Sequence, residues 1–282
     1  MAPARADAVI THALRTPVGK YGGSLKDIRI DDLSSFVLKA IVERAGIDPA
    51  VVEDVLWGCA NQAGEDNRNL ARMAVLLAGF PQRVPGTTIN RLCGSSLDAI
   101  NMAARAIWSA DHDVLIAGGG ESMTRAPYVL PKNVSGQPLF GNLSAYDTAL
   151  GWRFPNPRME KLFPLESMGE TAENVAGQWK ISREDQDRFA FRSHQRAVHA
   201  QAGGTFDFEI LPVNIPQKKG DALVVTRDDS PRPDTTLEKL AALPPVFRKG
   251  GTVTAGNSSS LNDGAAAVVM MSEAKAKGLG IN

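Results

Sequence analysis

The chain has 282 residues, 43% of them hydrophobic and 22% charged, which is enough for one large domain or two ordinary ones around a buried core. Lysine plus arginine equal aspartate plus glutamate at 31 each, so the overall balance lacks the positive excess that nucleic acid or an anionic membrane selects. The expected partner is therefore a small molecule, and two cysteines, Cys59 and Cys93, which can build neither a four-thiolate zinc site nor a secreted disulfide framework, lead to the expectation of a reducing, cytoplasmic setting and no metal.

The first ten residues pass into strand-like sequence without an apolar signal core, and no apolar run approaches membrane-spanning length, so the expected protein is soluble. Residues 8–14 predict a buried strand that Pro17 and Gly19 end. Asp31 or Asp32 is expected to cap a helix with Leu33, Phe36, Val37, Ala40 and Ile41 on one face, stopped at Gly46. Val55 to Cys59 reads as a strand, Leu70 to Leu77 as a helix, and Gly86 to Asn90 as a short extended run. After Cys93 the spacing predicts a helix with Leu97, Ile100, Ala104, Ile107 and Trp108 toward the core, then a strand Val114–Ala117 that closes on Gly118–Gly120. Alternation of this kind predicts a layered α/β domain.

Of 17 prolines, 12 lie between Pro127 and Pro245. This stretch is therefore read as an inserted, loop-rich region, with helices over Glu170–Trp179 and Arg183–Gln201, the second capped by Ser182 with Asp185 in its first turn. An apolar strand, Gly264–Met271, follows, and Ser272-Glu273 opens another helix. The expected division is 1–126 with 247–282 as the α/β domain and 127–246 as a loop domain.

The segment Thr87 to Ala99 puts Cys93 between a strand end and a helix start. Unpaired N–H groups and the positive end of a helix dipole stabilise a thiolate at such a position, Gly94 lets a carbonyl approach the backbone, and the amide of Cys93 could help hold an oxyanion. By position alone a small core cysteine is the competing reading, and Cys59, with no glycine–serine helix start beside it, stays with that reading. Gly118–Gly120 fails the dinucleotide fingerprint, because Met123 breaks the spacing and Pro127 the helix. Of the four histidines, His12 falls inside the first strand and His112 in an Asp-rich turn. His194 and His199 miss the i, i+4 spacing of a metal pair, so no histidine stands out as an acid–base partner for Cys93.

The block Asn90-Arg-Leu-Cys93-Gly-Ser-Ser-Leu resembles the nucleophile motif of thiolases, the acetyl-CoA acyltransferases. Arg15 to Gly19, Ala117 to Met123, Met168 to Val175, Gly251 to Asn257 and Asn262 to Ala266 are similar to further blocks of that family in the same order. The resemblance implies a thiolase-type N-terminal half, a mixed sheet with helices on both faces, joined to the loop region. It implies coenzyme A as a substrate rather than a resident cofactor, CoA thioesters as partners, and a homodimer or homotetramer. It also implies a mechanism in which Cys93 attacks the 3-oxo carbon of a 3-oxoacyl-CoA, acetyl-CoA leaves, and CoA takes the acyl group from the enzyme.

Carried over by position, Arg232 matches the arginine that packs on the CoA adenine, Ser259 the serine that contacts the pantetheine arm, and Met168 and Phe247 line the acyl or pantetheine tunnel. His194 stands at a CoA-contacting position that is frequently glutamine, Ser260 replaces a usual glycine, and Ser167 replaces a histidine of many biosynthetic members. Cys93-Gly-Ser-Ser-Leu-Asp-Ala and Gly151 to Pro157 look most like degradative thiolases of the 3-oxoadipyl-CoA type. The family's Asn-Glu-Ala-Phe, Gly-His-Pro and Cys-x-Gly blocks do not occur, so the expectation is that the C-terminal half is absent and the isolated chain inactive. A non-catalytic CoA-binding or assembly module with the same half-fold is the alternative. A cysteine hydrolase is disfavoured for want of a histidine partner.

Overall fold

The computed structural model describes residues 7–62, 64–132, 134, 136 and 141–281, so Met1–Ala6 of the N-terminal reading lie outside it. In chain order the elements are β1 (Ala8–Arg15), β2 (Gly19–Lys20), α1 (Ile30–Ala45), β3 (Asp54–Gly58), α2 (Leu70–Leu77), β4 (Gly86–Ile89), α3 (Ser95–Trp108) and β5 (Val114–Ser122). There follow β6 (Tyr128–Val129), β7 (Tyr146–Asp147), α4 (Pro157–Leu162), α5 (Met168–Gln178), α6 (Arg183–Ala202), β8 (Val213–Ile215), β9 (Leu223–Val225), α7 (Leu237–Ala241), β10 (Asn262–Ser272) and α8 (Glu273–Gly278).

These elements form two compact units. The first comprises Met1–Arg125, Phe208–Asp229 and Asn262–Asn282, and is built on a mixed sheet of order β1-β10-β5-β3-β4, with β2 beside β10. Strand β10 runs antiparallel to both β1 and β5, while β3 is parallel to β5 and β4. Side-chain alternation splits the apolar residues between the faces. Val55, Trp57, Ile116, Val269 and Met271 pack with α1 and α2, and Leu56, Leu115, Ala117 and Met270 pack with Ala99, Ala103 and Ile107 of α3. Helices therefore cover both faces, as the resemblance implied.

Several local expectations are corrected. Helix α1 begins at Ile30, so Asp31 and Asp32 lie in its first turn rather than capping it, and Asp31 pairs with Arg29 instead. Gly46 does end it, in the left-handed conformation that glycine adopts freely. On α3 the buried stripe is Ala99, Ala103 and Ile107, leaving Leu97 64% and Trp108 38% exposed; Phe36 of α1 is also on the surface. The glycine run does not end β5. Gly118–Gly120 lie inside it, paired with Ala265–Ala267 of β10.

The domain boundaries also move. Phe208–Asp229, expected in the loop region, belongs to the sheet unit, because the Arg15 guanidinium reaches Glu209 at 2.6 Å and Asp228 at 2.7 Å and the backbone of Arg15 bonds Glu209 and Leu211. Ser230–Leu261, which includes the start of the expected 247–282 segment, belongs to the second unit with Ala126–Asp207. That unit holds α4–α7 and the β6–β7 pair. In it α5 starts at Met168, two residues before the expected start, because the Ser167 hydroxyl accepts the Glu170 N–H; Ser182 caps α6 on Asp185 as expected.

Candidate active site

Cys93 is exposed, in the turn that joins β4 to α3. Two glycines set the height of that helix above the sheet. A β-carbon on Gly58 would stand 2.6 Å from the Ser96 nitrogen and one on Gly119 would stand 2.1 Å from the Ser96 hydroxyl, so only glycine at both positions lets the first turn of α3 rest on β3 and β5. The residue before the cysteine, Leu92, has φ of +50°, a left-handed conformation that costs a side-chain-bearing residue about 1–2 kcal/mol.

Hydrogen bonds hold that conformation. The Leu92 N–H donates to Asn90 Oδ1 at 2.9 Å, and the Leu92 carbonyl accepts from the Ser95 hydroxyl at 2.6 Å and the Ser95 N–H at 3.1 Å. Ser95 Oγ also accepts the Arg91 N–H at 2.8 Å, and Gly94 N–H donates to the Arg91 carbonyl at 3.1 Å. The result is a clamped turn that presents a thiol at the start of a helix.

Cys59 has the opposite surroundings. It is buried at the end of β3, its N–H donates to the Ile89 carbonyl at 3.1 Å, and its thiol faces Glu121 Oε1 at 3.7 Å. Burial first, then the charges of Glu121 and Asp66, push its pKa far above the usual thiol range, so it stays a protonated, structural thiol. His12 sits on β1, at the sheet edge opposite β4, and His112 lies beyond the C-terminal end of α3, whose start follows Cys93. Among the described residues no cluster of three or more His, Cys, Asp or Glu could hold a metal.

The residues carried over as CoA contacts all belong to the second unit, where they fall into two groups. Arg232 donates its backbone N–H to His194 Nδ1 at 3.2 Å, which requires a neutral ring; burial and then the positive charge of Arg232 lower the His194 pKa and keep it neutral. Ser230 Oγ and Ser260 Oγ, 3.3 Å apart, bring exposed Ser259 toward the same loop. In the second group, Phe247 packs over Gly169, the neighbour of exposed Met168, so closely that a β-carbon on Gly169 would stand 2.2 Å from its ring.

Buried Glu173 and half-buried Asn257 fix the segment around these groups. Glu173 accepts the N–H groups of Thr252 at 2.8 Å and Val253 at 2.7 Å. Asn257 accepts from Thr254 N–H at 2.7 Å and donates to Asp187 at 3.0 Å. Burial raises the Glu173 pKa, but the Val253 and Thr252 donors and Arg248 outweigh it and leave the carboxylate below its ordinary value.

With this geometry in place, comparison with known proteins decides the family. Residues 8–274 match the model of the thiolase N-terminal domain. The chain belongs to the thiolase family. It is 54% identical over 268 residues to a beta-ketoadipyl-CoA thiolase of Acinetobacter baylyi, covering 94% of this chain and 66% of that protein. It is 53% identical over 276 residues to the 3-oxoadipyl-CoA/3-oxo-5,6-dehydrosuberyl-CoA thiolase of Escherichia coli K12, covering 98% of this chain and 68% of that one. The crystal structure of the Bacillus anthracis acetyl-CoA acetyltransferase superposes with a TM-score of 0.90 at 42% identity, over 100% of this chain and 69% of that one. The chain thus spans about two thirds of the length of the curated relatives it matches.

In this thiolase N-terminal domain the sequence blocks acquire physical content that letters alone did not carry. Gly58 and Gly119 seat α3, Asn90 and Ser95 clamp the turn, and Glu121 anchors the loop after β3. The Asn90–Leu92 turn had a sequence signal, an asparagine able to bond the backbone two residues on. A leucine in a left-handed conformation had none.

Proposed function

We propose that this chain belongs to an acyltransferase that exchanges acetyl-CoA and a 3-oxoacyl-CoA through an acyl-enzyme on Cys93. The supporting observation is the exposed Cys93 thiol behind a left-handed Leu92 at the start of α3. The thiolate attacks the 3-oxo carbon, the bond between the α and β carbons breaks, and its electron pair leaves with the acetyl-CoA fragment, which takes up a proton. CoA thiol then attacks the Cys93 thioester and restores the thiolate. The Cys93 backbone N–H, rather than those of Gly94 and Ser95, which bond the Arg91 and Leu92 carbonyls, suits the oxyanion that forms in each step.

The names of the relatives favour 3-oxoadipyl-CoA or a similar 3-oxoacyl-CoA as the substrate. On this reading CoA is a substrate and no cofactor is resident. Arg232 packs on its adenine, Ser259 contacts pantetheine with His194 supporting the Arg232 loop, and Met168 and Phe247 line the acyl or pantetheine tunnel. The same reading expects a homo-oligomer in the cytoplasm. Among the described residues, no helix is long and apolar enough to cross a membrane.

The test is acyl transfer. Incubation with acetyl-CoA should add one acetyl group, mapped by peptide mass spectrometry to Cys93 and absent in Cys93→Ala. CoA binding by calorimetry without any acylation would instead support a non-catalytic CoA-binding module.

A further inference from the structure

Leu92 holds a left-handed backbone although its side chain is 70% exposed, so packing does not impose the conformation. Strain of this kind persists only where the surroundings over-determine it. Here the restraint can be followed away from the turn. Asn90, whose Oδ1 takes the Leu92 N–H, donates its Nδ2 to the Ala60 carbonyl at 2.9 Å. Residues 60 and 61 are in turn held by one carboxylate: Glu121 Oε2 accepts the Ala60 N–H at 2.7 Å, and Glu121 Oε1 accepts the Asn61 N–H at 3.3 Å. Glu121 projects from β5, a central strand whose backbone is fixed on both sides by β10 and β3.

We propose that Glu121 is a positioning residue for Cys93, acting through the Ala60–Asn61 backbone and the Asn90 side chain to hold Leu92 in its left-handed turn. A carboxylate suits the task because it accepts two adjacent N–H groups and donates nothing. An amide in its place would turn an NH2 toward one of the two donors. Burial raises the Glu121 pKa, and the Ala60 and Asn61 donors oppose that rise. The carboxylate therefore gains most from keeping both bonds, which ties the loop to the strand. This inference rests on the acyltransferase reading only for its meaning; the geometry and its test use no substrate.

The experiment measures the second-order rate of iodoacetamide alkylation at Cys93, by peptide mass spectrometry, in the 282-residue chain. The variants are Asn90→Ala and Glu121→Gln, each alone and combined with Leu92→Gly. Glycine adopts the left-handed region without help, so it should bypass the restraint. Each single variant should slow Cys93 alkylation about fivefold to tenfold as the thiol loses its fixed place at the helix start, and added Leu92→Gly should restore it to within about twofold. Asn90 is exposed, so Asn90→Ala keeps the test available if Glu121→Gln fails to fold, and thermal unfolding is followed for each variant. Unchanged rates in the single variants, or a loss that Leu92→Gly does not repair, would overturn the proposal. Failed acetyl transfer from acetyl-CoA to the native chain would count against the acyltransferase reading instead.

Discussion

Gly119 lies so close beneath Ser96 that a methyl group added to it would stand 2.1 Å from the Ser96 hydroxyl oxygen and 2.6 Å from the Gly58 carbonyl oxygen. The strand interior and the helix that follows Cys93 are thus in direct contact, with no room for a side chain between them. Gly119→Ala should lift the first turn of α3, destabilise the domain by about 1–3 kcal/mol, and lower the reactivity of Cys93. Urea denaturation and alkylation kinetics check the two effects separately; a variant as stable and as reactive as the native chain would show that the contact is slack.

The two cysteines should differ sharply toward an alkylating agent. Limiting iodoacetamide at neutral pH should modify Cys93 first, because it is exposed at a helix start, whereas Cys59 is buried with its thiol held protonated by burial and by Glu121. Peptide mapping reads the result, and preferential labelling of Cys59 would reverse the assignment.

Removing Glu173 strands the N–H groups of Thr252 and Val253 in a buried setting, so Glu173→Ala should cost about 2–4 kcal/mol. The pH dependence has a defined sign. The folded-state pKa lies below the ordinary value of 4.5, so the carboxylate's contribution is complete above that value and is lost as pH falls through the folded value. Native protein should lose stability over that acid window more steeply than Glu173→Gln does. Parallel acid-unfolding curves for the two would contradict this account.

If Arg232 covers the CoA adenine, Arg232→Ala should weaken CoA binding by about 1–2 kcal/mol through the lost cation–π contact. Calorimetry with CoA measures it directly. Equal affinity in the variant would remove Arg232 from the CoA contacts while leaving Cys93 untouched.

Multiple turnover of a 3-oxoacyl-CoA by the 282-residue chain should be negligible. In the sheet unit neither His12 nor His112 lies at the start of α3, and loss of an acid–base group removes a factor of about 10² to 10⁴ in rate. Slow acylation of Cys93 is compatible with this. Robust turnover that disappears in Cys93→Ala would mean that a base lies within these residues, with His194 the first to replace.

What could be read from the letters was mostly what short-range physics dictates. Leu70–Leu77 is a helix with the boundaries its apolar run suggested, Gly46 ends α1 in a left-handed residue, and Ser182 caps α6. The return of Phe208–Asp229 to the sheet unit was not readable. Its strand β8 is three residues long between Pro212 and Pro216, and its attachment is made by Arg15 to acids 194 and 213 positions away. Gly118–Gly120 suggested a strand end because glycine weakens strands in general. Here Ala266, Ser96 and Ser34 approach those positions too closely for any side chain. The place of Cys93 between a strand end and a helix start was readable from its neighbours, while the hydrogen bonds that link Glu121, residues 60–61 and Asn90 join three separate segments and leave no periodic trace.

The place of β10 between β1 and β5 has a consequence for how the molecule is made. Ala8 pairs with Ser272 and Arg15 with Ala266, so β1, once synthesised, waits for a partner that emerges about 250 residues later. At a ribosomal pace of about 5–20 residues per second, that wait is on the order of ten seconds or more, during which β1 and one edge of β5 are open to wrong partners. Parallel pairing of β3 with β4 and β5, and the seating of α3 on Gly58 and Gly119, can precede it, so the Cys93 turn can be shaped before the sheet that supports it is closed. Nascent chains stalled before residue 262 should therefore engage chaperones that bind exposed strands, and release should coincide with the emergence of β10.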